Sequence, residues 1–163
     1  MASPPGELTT LLSRLAAARV EFVLVGGLAA VAQGAPITTH DIDIVPRRMP
    51  ENVDCLLTFL ASINARYRGR PGHEILRPTS SALLGPGHSL LMTDLGPIDV
   101  LGAIEEGRAF EDLIPHAIDI LVDGKTIRVL GLPMLVELKR RSTHPKDRYT
   151  LAILEETIRR RDG

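Results

Sequence analysis

Tryptophan is absent from this chain, and Phe and Tyr together make up 3% of it. The core must therefore be built from Leu, Val, Ile and Ala, and platforms for stacking bases are scarce, which weighs against a dedicated binder of single-stranded nucleic acid. An internal disulfide is excluded because Cys55 is the lone cysteine. Within "VDCLLTFL" it reads as part of an apolar helix face packed in the core, not as an activated thiol. Charge of one sign is also missing: 19 Lys and Arg stand against 20 Asp and Glu, for a formal net charge of −1. No broad field is available to draw nucleic acid or a membrane. The run Arg159, Arg160 and Arg161 is most simply a solvated helix end whose cations suit the dipole, although it could touch RNA or DNA phosphates. No apolar run approaches the roughly 18 residues of a membrane span, and "MASPPGELTT" lacks the positive-then-apolar order of a secretory leader. The expectation is a cytoplasmic protein with no membrane partner.

What is present is enough apolar sequence, 44% of 163 residues, to bury one ordinary core, so a single domain spanning 1–163 is expected. Leu8, Leu11, Leu12 and Leu15 recur at helical spacing in an amphipathic opening helix over 7–18. "VEFVLVGG" predicts a strand ended by Gly26 and Gly27, "LAAVAQG" a short helix, and "DIDIVPR" a second strand. "ENVDCLLTFLASI" predicts a helix. Short β-like runs follow at "HEILRP", "HSLLMTD" and "PIDVLGA", then a short helix near "FEDLIPHA" and a hairpin of "AIDILVD" and "TIRVLG" turning at Gly124-Lys125. "LPMLVELKRRS" and "KDRYTLAILEETIRRR" predict two C-terminal helices. The fold class is α+β (mixed α/β): a mixed central β-sheet flanked by helices, with helices at the C-terminus.

The chemistry concentrates in Val25 to Val45, "VGGLAAVAQGAPITTHDIDIV". Two glycines between a strand and a helix permit a tight turn and let a ligand approach the backbone, although such a pair is also read as a plain turn. Asp41 and Asp43 share one strand face, about 6 to 7 Å apart by strand rise. Like charges so placed repel and resist desolvation unless something compensates them, unless the face is simply solvated. Asp99, in "GPIDVLGA", is a third lone acid in a strand-like run. Three carboxylates on two strands can hold two hard cations roughly 3.5 to 4 Å apart, an arrangement suited to phosphoryl or nucleotidyl transfer. His40 should point away from the acids by strand alternation, and His73, His88 and His116 lack metal-ligand spacing.

These residues resemble the signature of the nucleotidyltransferase superfamily that includes DNA polymerase beta and kanamycin nucleotidyltransferase: an apolar strand, Gly followed by Gly or Ser, an interval here filled by residues 28–40, then two acids on a strand. The tail "VLGLPMLVELKRRSTHPKDRYTLAIL" resembles small bacterial members related to abortive-infection-type nucleotidyltransferase toxins, in which a lysine-bearing helix precedes a Lys-Asp pair opening the last helix. The resemblance implies the nucleotidyltransferase-like fold and transfer of a nucleoside monophosphate from an NTP, ATP among them, to a hydroxyl. It implies Mg²⁺ (or Mn²⁺) held by Asp41, Asp43 and Asp99, with Asp99 also helping to activate the acceptor hydroxyl. Gly26 and Gly27 would cradle the triphosphate, Thr39 and Lys139 would complete the nucleotide site, and the acceptor would be RNA (tRNA), a protein or a small molecule. An antitoxin partner is a further implication.

The chain departs from that pattern at Ile37, where related small members often carry Arg, and at His144 and Thr150, where many carry Arg and an acid. Arg47 or Arg48 is a candidate source of the missing charge. The alternative reading is a binding module that keeps the fold but has weakened catalysis.

Overall fold

The computed structural model describes residues 5–69 and 74–163. Seven strands form one mixed sheet in the order β3-β4-β5-β2-β1-β7-β6. Helix α1 (Pro5–Ala17) buries Leu8, Leu11, Leu12 and Leu15, the stripe that its periodicity predicts. Strand β1 (Phe22–Val25) is buried along its whole length, as a central strand covered on both faces must be. It runs straight into α2 (Gly26–Ala32), and the chain returns as β2 (Ile42–Pro46), antiparallel to β1 with Val25 opposite Asp43.

Helix α3 (Pro50–Ser62) buries Asn52, Val53, Leu56, Phe59 and Leu60. At 100° per residue Cys55 falls outside that arc, and it is exposed. The expectation of a core cysteine is therefore overturned: neighbouring Leu residues, not Cys55, carry the packing. A two-residue strand β3 (Arg66–Tyr67), not anticipated from the sequence, forms the sheet edge. The run "HEILRP" is not a strand: His73 lies outside the described residues, and 74–79 has no regular structure, although Leu76 O accepts a bond from Tyr67 N. A short helix α4 (Ser80–Leu84), capped by Thr79, leads to β4 (His88–Thr93) and β5 (Gly96–Leu101).

Helix α5 (Phe110–Leu113) precedes the hairpin of β6 (Ala117–Val122) and β7 (Lys125–Leu130). The hairpin turns at Asp123-Gly124, one residue earlier than expected, because both residues take the positive φ of a two-residue turn. Strand β7 lies parallel to β1 and feeds α6 (Leu132–Arg140), which packs against α7 (Pro145–Asp162). Gln33, at the end of α2, donates to Leu130 O at 2.9 Å and accepts from Leu132 N at 3.1 Å. That amide fixes the start of α6 against α2 and so brings Lys139 beside the Gly26 turn. No helix among the described residues is long and apolar enough to cross a membrane.

Candidate active site

Parallel pairing of β2 with β5 sets Asp43 directly beside Asp99. Asp41, just before β2, joins them, and one carboxylate oxygen from each of the three lies within 4.8 Å of the others. The three acids expected from the sequence thus do converge. Asp43 and Asp99 meet because register in a parallel pair places partners side by side; Asp41 joins them from the bend that opens β2.

The cluster is electrostatically costly. Burial, followed by repulsion from Asp41 and Asp99, pushes the Asp43 carboxyl up to about 8. Burial and the Asp99 charge likewise raise Asp41 above the ordinary carboxylate range. Asp99 Oδ1 lies 2.7 Å from Arg68 Nη2. The approach angle is nevertheless outside hydrogen-bond geometry, so this buried oxygen has no hydrogen-bond partner among the described residues. Buried acceptors without a partner are uncommon. An orphaned oxygen, two raised carboxyls and an all-oxygen donor set together fit a hard divalent cation such as Mg²⁺ or Mn²⁺.

The glycine pair makes room for these groups. Gly26 takes φ of +72°, and a Cβ there would overlap the Asp43 carboxylate. A Cβ on Gly27 would come 2.9 Å from Thr39 Oγ1. Thr39 is buried, and its hydroxyl reaches Asp41 O at 3.4 Å. Gly26 and Gly27 therefore make room for the protein's own side chains. No side chain caps the first turn of α2.

Two cavities flank the acids. One, of about 570 Å³, is lined by Gly26, Gly27, Thr39, His40, Asp41 and Arg68 on one side and by Lys139, Lys146, Asp147 and Thr150 on the other. The second, of about 490 Å³, is lined by Asp43, Leu101, Ile104, Leu138, Arg141 and Ser142 among others. Gly26, Leu135, Lys139 and Asp147 belong to both walls. Lys139 Nζ sits 3.1 Å from Asp147 Oδ1, and Ser142 Oγ donates to Asp147 Oδ2 at 2.5 Å. The Ser142 bond, then Lys139, hold the Asp147 carboxyl below its ordinary range.

Several expectations need correction. Arg47 pairs with Glu21 at 3.1 Å and Arg48 donates to Leu84 O, so neither reaches the cavity. Among the described residues the cation paired with the acids is Arg68, which the sequence does not single out: it follows a strand too short to show a pattern, among several arginines that nothing distinguishes. His40 precedes β2, so strand alternation does not govern it, and it lines the same cavity as Asp41. His88 instead bonds Ala103 O. Arg159 and Arg160 are paired with Glu156 on their own helix, which leaves them less available to an outside phosphate.

No protein family and no curated protein matches this chain by sequence. Solved structures do match. The lincosamide antibiotic adenylyltransferase LnuA, in its lincomycin-bound form, superposes with a TM-score of 0.61 at 13% identity, over 96% of this chain and 99% of that one. The antibiotic-resistance factor ANT(2'')-Ia gives 0.57 at 13% identity, over 93% and 84%. The Thermotoga maritima protein TM1012, described as a candidate nucleotidyltransferase, gives 0.56 at 20% identity, over 86% of each chain. The chain therefore has the fold of the nucleotidyltransferases.

Proposed function

We propose that this protein is a Mg²⁺-dependent nucleotidyltransferase that moves a nucleoside monophosphate from an NTP to a hydroxyl acceptor and releases pyrophosphate. The observation that carries the reading is the convergence of Asp41, Asp43 and Asp99 beside the Gly26-Gly27 turn, with Asp99 Oδ1 left without a hydrogen bond. The adenylyltransferase neighbours support nucleotide transfer as the general class.

Asp41, Asp43 and Asp99 would hold the cation, which when bound would neutralise the acids and polarise the phosphate oxygens. The triphosphate would occupy the cavity lined by Gly26, Gly27, Thr39 and Lys139, where backbone N–H groups can approach it closely. The acceptor would enter from the second cavity, whose wall includes Asp43 and the apolar side chains of Leu101, Ile104 and Leu138. Asp99 would take the acceptor's proton at a carboxylate oxygen as the hydroxyl oxygen bonds to the α-phosphorus and the bond to the β-phosphate oxygen breaks. Lys139, a compact cation, would face the negative oxygens of the departing pyrophosphate.

A second reading, a binding module without turnover, is favoured by one observation: Lys139 is committed to Asp147 and not free to meet a phosphate. Calorimetric titration with NTP and Mg²⁺ tests both. Wild-type protein is expected to bind, and a double Asp41→Ala/Asp43→Ala variant to lose binding; equal titrations for the two would overturn the proposal. Transfer of α-labelled NTP onto tRNA, protein extracts and lincomycin then separates enzyme from module.

A further inference from the structure

Among the described residues, three cations line the larger of the two cavities that flank the acids, and they are not equivalent. Lys139 is paired with Asp147, and Lys146 lines the cavity from the first turn of α7. Among the described residues that line it, Arg68 is the cation paired with an acid of the cluster. Its backbone N–H bonds Leu90 O at 3.0 Å, which continues the β3–β4 pairing by one residue. From there the side chain reaches over β4 to β5: Nη1 donates to Leu91 O at 2.8 Å, and Nη2 meets Asp99 Oδ1 at 2.7 Å. A guanidinium has five donors, so these two contacts leave donor capacity on a group that already lines the cavity containing Gly26, Gly27 and Ile37.

The contact with Asp99 is also a poor resting place. It has the distance of an ion pair without hydrogen-bond geometry, and it sits on the very oxygen left unsatisfied. A divalent cation entering the acid cluster would compete with Arg68 for Asp99 and repel it at short range. The neighbouring destination is the cavity proposed above for the triphosphate, a ligand for which a planar fork is well suited.

We propose that Arg68 is an exchangeable counter-ion: it neutralises Asp99 when the acid site holds no metal and turns to the triphosphate when metal and NTP arrive together. It would thereby supply from the sheet edge the cation that Ile37 does not supply from the segment between α2 and β2. This inference rests on the nucleotidyltransferase reading above.

The exchange predicts effects of opposite sign on two ligands, which a merely structural role would not produce. Binding of Mn²⁺ alone and of NTP with Mg²⁺ is measured by calorimetry on the full chain for wild type, Arg68→Gln and Arg68→Lys, with far-ultraviolet circular dichroism confirming the fold. Arg68→Gln is expected to bind Mn²⁺ alone several-fold more tightly, because a competing positive charge is gone, and NTP about tenfold or more weakly, because a charge-assisted contact is lost. Arg68→Lys should fall between wild type and Arg68→Gln for both ligands. Loss of the two affinities together would show that Arg68 only holds the edge in place, and would overturn the inference. So would unchanged NTP affinity in Arg68→Gln, and that result would leave the nucleotidyltransferase reading intact. Wild-type protein that binds Mn²⁺ but no NTP would instead overturn the reading itself.

Discussion

Gly26, the residue after Val25, the β1 partner of Asp43, lies so close to Asp43 that a single methyl group on Gly26 would occupy the space of the Asp43 carboxylate. Gly26→Ala therefore meets two obstacles: a left-handed backbone that disfavours a Cβ, and a collision with a side chain tied into the acid cluster. The expected outcome is a loss of about 2 kcal/mol in stability or more, together with loss of Mn²⁺ binding as Asp43 is displaced. Gly27→Ala has no such backbone strain, and its Cβ would press on the buried Thr39 side chain at 2.9 and 3.1 Å, a milder overlap than the one at Gly26, so its effect should be smaller. Denaturant titration of the two variants side by side checks the ranking, and equal losses would refute it.

The acid cluster makes the metal-free protein sensitive to pH in an unusual direction. Asp43 titrates near pH 8 when folded against a reference of 3.8. Between these values the folded chain holds a proton that the unfolded chain has released. The contribution of this proton to stability is thus fully present below about pH 4 and declines as pH rises towards 8, by a few kcal/mol at most in order of magnitude. Thermal unfolding in a chelating buffer should show that decline, and Asp43→Asn should flatten it. Excess Mg²⁺ should also flatten it, because the cation takes over the neutralisation that the proton provided. A melting temperature that climbs steadily from pH 5 to 8 in chelator would contradict the account.

These two predictions show where the sequence was readable. Gly26-Gly27, Asp41, Asp43 and Asp99 were identifiable because each broke a strong local pattern: glycine after a β-rich run, or a lone carboxylate among alternating Ile and Val. The hairpin, the opening helix and the terminal helices were legible from periodicity. Arg68 was not, because its position depends on the pairing of a two-residue strand with β4, a long-range event that leaves no local trace. Cys55 misled for the opposite reason. Its neighbours Leu56, Phe59 and Leu60 define a clear apolar helix, but the angular position of that stripe excludes Cys55 by a single step.

Asp147 links the two C-terminal helices, accepting from Ser142 in the connection and pairing with Lys139 on α6. Its lowered folded pKa means a contribution present above the unfolded value of 3.8 and lost as pH falls through the folded value. Ser142→Ala removes the largest cause of that lowering. It should move the Asp147 titration, followed by carboxyl resonances in NMR spectra, upward towards the ordinary range. Little effect on neutral-pH stability is expected, about 1 kcal/mol or less, since Lys139 remains in place. An unmoved resonance would mean that Lys139 alone sets the charge of this junction.

Asn52 provides the test of what keeps the site's strands in place from a distance. This buried side chain accepts from Glu21 N at 2.7 Å and donates to Glu21 O at 2.9 Å and Arg47 O at 2.8 Å. It thereby ties α3 to the entrance of β1 and the exit of β2, the end of that strand pair opposite to Gly26 and Asp43. Asn52→Ala would strip Glu21 N of this partner, whereas Glu21 O would retain its bond from Arg47 N and Arg47 O its bond from Met49 N. The expected cost is on the order of 2–3 kcal/mol. Because the acids lie at the far end of the pair, Mn²⁺ affinity of the molecules that remain folded should be nearly unchanged. Denaturant unfolding gives the first quantity and calorimetry well below the unfolding transition gives the second. A variant of full stability would show that water replaces the amide at no cost. A large loss of metal affinity in fully folded protein would show instead that strand position at one end of β1 and β2 sets the carboxylate geometry at the other.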